Sequence, residues 1–296
     1  MQEHRTRVVV AALLAVAVAA LGLAGNASAK LVGNYTRFAQ CPYKNAEAAR
    51  CLYSTTNSGE VVLGKKKVPI EKAVVLQGAY TLGDANGDSK FIGATNGITL
   101  SKAPQNVPGG LAGIVPEEGT PFLVKALIKF FFENKLTGLT STLELAKSAS
   151  DIVVNEEHLG GELGTGLKMP VKVHLENPFL GKSCYVGSSS SPITWELTTG
   201  TTSPPAPNKP IAGTLGEEIK FLEEGSILEA KGNKLVDNAW SAPGASGCGG
   251  IIAFLVNPII NSQLGTTTKG NNTAILNNTI FIAAAPAVLG NDEANP

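Results

Sequence analysis

Charge is scarce in this sequence, and so are the side chains that carry most enzymatic chemistry. Charged residues make up 16% of the 296, with 24 basic against 24 acidic, three histidines and four cysteines. Taken over the whole chain, a balanced charge leaves no electrostatic footprint for nucleic acid or for an anionic membrane surface. No two cysteines stand in C-x-x-C spacing, which argues against zinc knuckles and dithiol redox centres. No repeat of fixed period appears, so solenoids and propellers are set aside. The apolar runs Ile251–Ile260 and Ile280–Leu289 are broken by Pro258 and Pro286 and cannot form spanning helices. Gly160–Gly166 is glycine-rich, but neither phosphate-binding spacing is met, and it reads as a turn.

What the chain does have begins at its N-terminus. Arg5 and Arg7 precede an apolar and small-residue run from Val8 to Gly25, closed by Ala27-Ser28-Ala29. That order is a secretory leader, expected over residues 1–29 with cleavage before Lys30. Losing Arg5, Arg7 and Glu3 takes the 24 and 24 charges to 22 basic and 23 acidic, a net charge near −1. Residues 30–296 are expected to form a single large β-rich domain, with 103–120 as the one stretch resembling a boundary. The 33 glycines and 17 prolines fit many strands and turns better than a cytosolic α/β enzyme.

All four cysteines follow the leader, and an even number in an oxidising compartment implies two disulfides. Three pairings are open. The favoured one is Cys41–Cys51, closing a short loop, with Cys184–Cys248, tying the middle of the chain to its glycine-rich segment 243–250. The middle stretch, Asn177–Ile211, holds two strand-like runs, Ser183–Val186 and Ile193–Thr199, with Trp195 as a large apolar anchor.

Elsewhere strands are expected at Glu60–Leu63, Val68–Ile70, Lys72–Gln77, Ala79–Leu82, Leu143–Lys147, Asp151–Val154 and Met169–Glu176. Ile227–Ala230 and Lys234–Val236 read as a hairpin about Lys231-Gly232-Asn233. Thr120 and Pro121 open a helix to about Asn134, whose polar residues Lys125, Lys129 and Glu133 form one narrow stripe. Such a helix is expected to be buried on most of its circumference against a sheet, with membrane insertion or a partner groove as the alternative. The fold class is therefore mainly β, a β-sandwich or jelly-roll-like structure, disulfide-stapled, with one apolar helix packed against a sheet.

No catalytic or cofactor-binding constellation stands out. Asp84, Asn86 and Asp88 place oxygens at alternate positions, like the first half of a calcium loop. Ser89 then stands where the turn glycine belongs and Thr95 where the closing glutamate should be. An Asx-rich turn is the plainer reading, and calcium is the alternative. Glu217, Glu218, Glu223 and Glu224 suggest glycosidase carboxylates only by proximity in sequence. Ser246, His174 and Asp237 can be written as a triad, without any pattern that assembles them.

The strings Asn177–Ser188, Leu197–Pro205 and Leu235–Asn238, together with Gly247–Gly250, resemble a family of exported actinobacterial proteins without a known activity. The resemblance implies export and a bacterial source, and no substrate, cofactor or catalytic residue. The expectation is a secreted or envelope-associated non-catalytic protein that binds a cell-wall polymer or a protein partner. An extracellular hydrolase of glycans or esters is the first alternative, and a carrier of an apolar ligand the second.

Overall fold

The computed structural model describes residues 30–113, 119–265 and 271–295; the expected leader lies outside these residues. The chain is mainly β. Fourteen strands form one antiparallel system that doubles back on itself as a sandwich. Its first layer runs β11 (Glu218–Leu222), β12 (Ile227–Asp237), β14 (Thr273–Ala284), β1 (Arg50–Leu63), β3 (Val74–Tyr80) and β4 (Asp88–Gly93). The second layer continues through β7 (Val153–Asn155), β8 (Leu167–Glu176), β6 (Thr140–Leu145) and β5 (Gln105–Asn106). β2 (Lys66–Pro69) folds back on β1, while β9 (Tyr185–Val186) and β10 (Ile193–Leu197) pair with β8, and β13 (Ala245–Ser246) with β9.

β4 is the corner where the sheet turns. Its Phe91, Ile92 and Gly93 pair with β3, whereas Asp88, Ser89 and Lys90 pair with β7. Gly78, opposite the corner, shows why no side chain fits there. Its φ is 150°, and a Cβ would lie 2.5 Å from both the Ile92 carbonyl oxygen and the Phe91 ring.

Alternation decides the layers. Leu167, Met169, Val171, Val173 and Leu175 of β8 are buried, and Lys168, Lys172, His174 and Glu176 face outward. Pro170 sits where the neighbour of β8 changes from β7 to β6; its carbonyl accepts from the Ala146 N–H at 3.0 Å, and its missing N–H cannot return the bond just where the β6 pairing ends. One continuous core joins residues as distant as Leu52, Leu111, Val124, Trp195 and Ile280. A second, smaller core holds Phe38, Phe281 and the Cys41–Cys51 disulfide; Cys184–Cys248 lies in the first.

Two expectations are corrected. Lys231-Gly232-Asn233 does not turn a hairpin: β12 passes straight through, and Gly232 takes up a β-bulge where the register to β14 slips between Lys231 and Asn233. The helix α1 (Phe122–Glu133) packs on the sandwich, but not on most of its circumference. Only Val124, Ile128 and part of Phe131 enter the core, while Phe122 is 87% exposed and Leu123 and Phe130 are each 56% exposed. The side chain of Leu127 lies outside the described residues. The reason is geometric, because at about 100° per residue positions i, i+4 and i+7 make one stripe. Among the described side chains the sandwich touches the helix along that stripe.

Short helices complete the chain: α2 (Glu156–Leu159), α3 (Ala253–Leu264) and α4 (Ala285–Ala294). Among the described residues no helix is long and apolar enough to cross a membrane.

Candidate functional site, a hydroxyl-lined cleft beside β10

On β10 the residues Ile193, Trp195 and Leu197 are fully buried, which turns Thr194 and Glu196 to the outside. The chain then runs on through Thr198-Thr199-Gly200-Thr201-Thr202-Ser203. Thr198 bridges to Val236 at the end of β12, so this segment lies next to a strand from much later in the chain. Between them is an open cleft of about 450 Å³, closed at its far side by Leu163, Gly164 and Thr165. Thr194, Thr198, Thr201 and Thr202 line one wall, and Asp237, Trp240 and Ser241 another.

The walls are held by backbone pairing. Gly213 donates its N–H to the Gly200 carbonyl at 2.7 Å, and Thr214 exchanges hydrogen bonds of 3.0 Å with Lys234. Gly213 is squeezed in this ladder, since a Cβ there would meet the carbonyl oxygens of Lys234 and Thr198 at 2.6 Å. Trp240 stands edge-on to Trp195 with ring centres 6.1 Å apart, and its indole N–H donates to the Asp237 carbonyl at 3.3 Å. The cleft floor is therefore continuous with the core.

Two carboxylates share the cleft. Glu196 pairs with Lys168 at 2.8 Å and is exposed. Asp237 is 3% exposed and accepts the backbone N–H groups of Glu196 (2.7 Å) and Ala239 (2.9 Å). Burial pushes the Asp237 carboxyl above its usual range; the two N–H donors pull the other way, and the nearby Glu196 charge adds to the rise. The Thr198 and Thr202 hydroxyls are hydrogen-bonded to Gly200 and to Ile211, and the Asp237 carboxylate and Trp240 N–H are likewise engaged. Thr194, Thr201, Ser203, Ser241 and the exposed Glu196 are therefore the groups suited to meet a polyhydroxylated ligand.

Of the candidate site residues singled out in the sequence, Asp237 lies in this cleft and the others lie elsewhere. Asp84 Oδ1 accepts the N–H groups of Asn86 (2.8 Å) and Asp88 (3.1 Å), and Asp88 Oδ1 accepts from Asn155 Nδ2 at 3.1 Å. These oxygens serve a hairpin turn. Among the described residues no group of three or more His, Cys, Asp or Glu side chains is placed to hold a metal ion. His174 stacks on Tyr185 at 4.4 Å, with Nε2 3.1 Å from the Lys182 carbonyl and Nδ1 3.7 Å from Glu176. His158 Nδ1 lies 3.1 Å from the Thr165 carbonyl. Neither ring is hydrogen-bonded to Ser246 or Asp237, whose carboxylate is taken up by Glu196 and Ala239. Glu218 pairs with Lys220, and Glu223 accepts from Asn34; both hold surface structure.

Two apolar spaces remain. One of about 70 Å³ lies between the layers among Leu63, Met169, Val173 and Trp195, well below the ~150 Å³ that admits benzene. The other, about 480 Å³, is a groove lined by residues of β11, β12 and β14, among them Phe221, Leu228, Ile280 and Ile282, with Leu159 of α2 and Arg50. Neither a protein-family model, nor a curated protein, nor a solved structure matches the chain.

Proposed function

We propose that this is a secreted or envelope-associated, non-catalytic protein that binds a hydroxyl-rich polymer, a cell-wall glycan, in the cleft beside β10. The observation that carries the reading is the concentration of threonine and serine hydroxyls around that cleft, beside Trp240. Hydroxyl groups exchange hydrogen bonds with sugar hydroxyls in either direction. The leader, the two disulfides and the resemblance to exported actinobacterial proteins support an extracellular place of work.

The test is retention on purified wall glycan, with affinity measured for soluble fragments. Thr194→Val combined with Thr201→Val removes two hydroxyls and keeps the side-chain shape. The pair should cost about 2 kcal/mol, roughly thirtyfold in Kd. Retention that is absent, or identical in the variant, ends the assignment of this cleft.

The hydrolase reading gains one observation: Glu196 and Asp237 share the cleft, and burial raises the Asp237 carboxyl. On that reading fragments are cleaved, and Glu196→Gln abolishes turnover while binding survives. Wild-type protein that leaves every fragment intact removes it. The carrier reading has the 480 Å³ groove as its place; lipid co-purified with the protein and lost on Ile282→Asp would support it.

A further inference from the structure

The outer side of α1 exposes several large apolar side chains within one short helix. Val124, Ile128 and Phe131 face the core, which turns Phe122, Leu123, Ala126 and Phe130 outward as one strip. Lys125 and Lys129, both exposed, run along the strip's edge. Lys135, also exposed, follows the C-terminus of the helix, and Leu136 next to it is 42% exposed.

A second set of apolar side chains lies close by. Phe131 packs edge-on against Phe179 at 5.4 Å, and the Leu136 carbonyl accepts from Asn177 Nδ2 at 3.0 Å. The same Asn177–Gly181 turn is tied on its other side to Gly249, whose N–H donates to the Leu180 carbonyl at 2.8 Å. From there the chain presents Ile251, 97% exposed, and Phe254, 72% exposed, at the start of α3. The C-terminal end of α1 and the start of α3, each with exposed large apolar side chains, are thus tied to the same turn.

Charge decides what such a surface can meet. In the three described segments 120–138, 177–184 and 247–265, the charged residues are Lys125, Lys129, Lys135 and Lys182 against Glu133. Glu117 and Glu118 precede the helix in sequence and lie outside the described residues. Lys129 lies 3.8 Å from Glu133 on the same helix, and the four lysines against one glutamate leave these segments a net charge of +3, so a second copy on this face would bring like charge against like. An anionic bilayer instead accepts both features: phenyl and leucyl groups enter the acyl boundary, while lysines reach back to the headgroups.

We infer that the outer strip of α1 is a membrane-docking surface for bilayers with anionic headgroups, on which the protein rests without spanning. About 12 residues of helix suffice for this, because the helix lies in the interface plane and its inner stripe stays in the sandwich. The inference is independent of the cleft beside β10.

The experiment is flotation of the purified protein with vesicles of phosphatidylglycerol and phosphatidylcholine, against phosphatidylcholine alone. The comparison is between the wild type and Phe122→Ser/Phe130→Ser, so any contribution of the N-terminal leader is common to both. Both phenylalanines are exposed, and an unchanged melting temperature checks the fold. Expected are binding to the anionic vesicles at least tenfold stronger than to the neutral ones, and a further loss of at least tenfold in the serine variant. Lys125→Glu/Lys129→Glu should erase the preference for anionic lipid. No binding to anionic vesicles, or equal binding by all three proteins, overturns the inference. So does a solution dimer that the serine variant dissociates, because a second copy would then cover the strip.

Discussion

Reduction of the two disulfides should bring this protein close to unfolding, and unequally. Cys41–Cys51 closes a loop of sequence separation 10, and Cys184–Cys248 one of 64. In the chain-entropy account, removing each cross-link releases about 2.7 and about 4.3 kcal/mol of loop entropy to the unfolded chain. The two together, about 7 kcal/mol, compare with a whole-domain stability of ~5–15 kcal/mol. All four cysteines are at most 2% exposed, so replacing either pair with alanine loses two equally buried sulfurs and the packing cost largely cancels. The difference between the pairs, about 1.6 kcal/mol, is then the loop term. Thermal unfolding of Cys41→Ala/Cys51→Ala and Cys184→Ala/Cys248→Ala reads it directly. For a chain of this size the second variant should melt roughly 3–6 °C below the first. Equal midpoints, or the reverse order, would refute the reasoning. The same arithmetic says that protein made in a reducing cytosol should be largely unstable, in keeping with a life outside it.

Gly213→Ala pushes a methyl group into the carbonyl oxygens of Lys234 and Thr198, both 2.6 Å from the new atom. Chemical denaturation should show a loss of about 1–3 kcal/mol, and glycan affinity should fall with it if the cleft beside β10 binds. Asp237 gives a pH dependence of defined sign. Its folded carboxyl titrates above the ordinary 3.8, so its contribution to stability is complete below that pH and is lost as pH rises through the folded value. Asp237→Asn adds a constant penalty of about 1–3 kcal/mol, because one backbone N–H then faces an amide NH₂. Against that variant, wild-type stability in urea titrations should decline as pH rises from the ordinary 3.8 through the raised folded value. A wild-type advantage that grows over the same range contradicts the sign. Tyr80→Phe removes the 2.6 Å hydrogen bond from the fully buried phenol to Glu156, and should cost about 0.5–1.5 kcal/mol in the same assay.

Local patterns legible in the sequence were those set by neighbours along the chain. Alternation of apolar residues makes β8 and β10 two-faced whatever lies beyond them, so the mainly β class and the burial of Trp195 follow from spacing alone. Thr120-Pro121 placed the start of α1 to within one residue: Pro121 itself takes the cap position and the helix begins at Phe122, where a missing N–H just ahead costs no helical bond. The disulfide pairing favoured on spacing is the pairing in the structure. Gly232 shows the limit of the same logic. A glycine between two apolar runs reads equally as a turn or a bulge, and only the strand β14 beside it selects the bulge.

The cleft was out of reach for a related reason. Leu197-Thr-Thr-Gly-Thr-Thr-Ser is a visible run of hydroxyls, but its partner walls come from Thr165 and from Asp237 to Ser241, and no local rule says those segments meet. Likewise the composition of α1 shows that it is apolar nearly all round, not how much of it finds a partner. Composition and periodicity determined the strands, the helix and the cross-links, since each depends on near neighbours or on cysteine spacing. Tertiary structure alone decided that β4 turns the sheet, that the hydroxyls of β10 face an open cleft, and that only one stripe of α1 is covered. Those outcomes depend on how much surface distant segments offer each other, a quantity that exists only once the chain has folded.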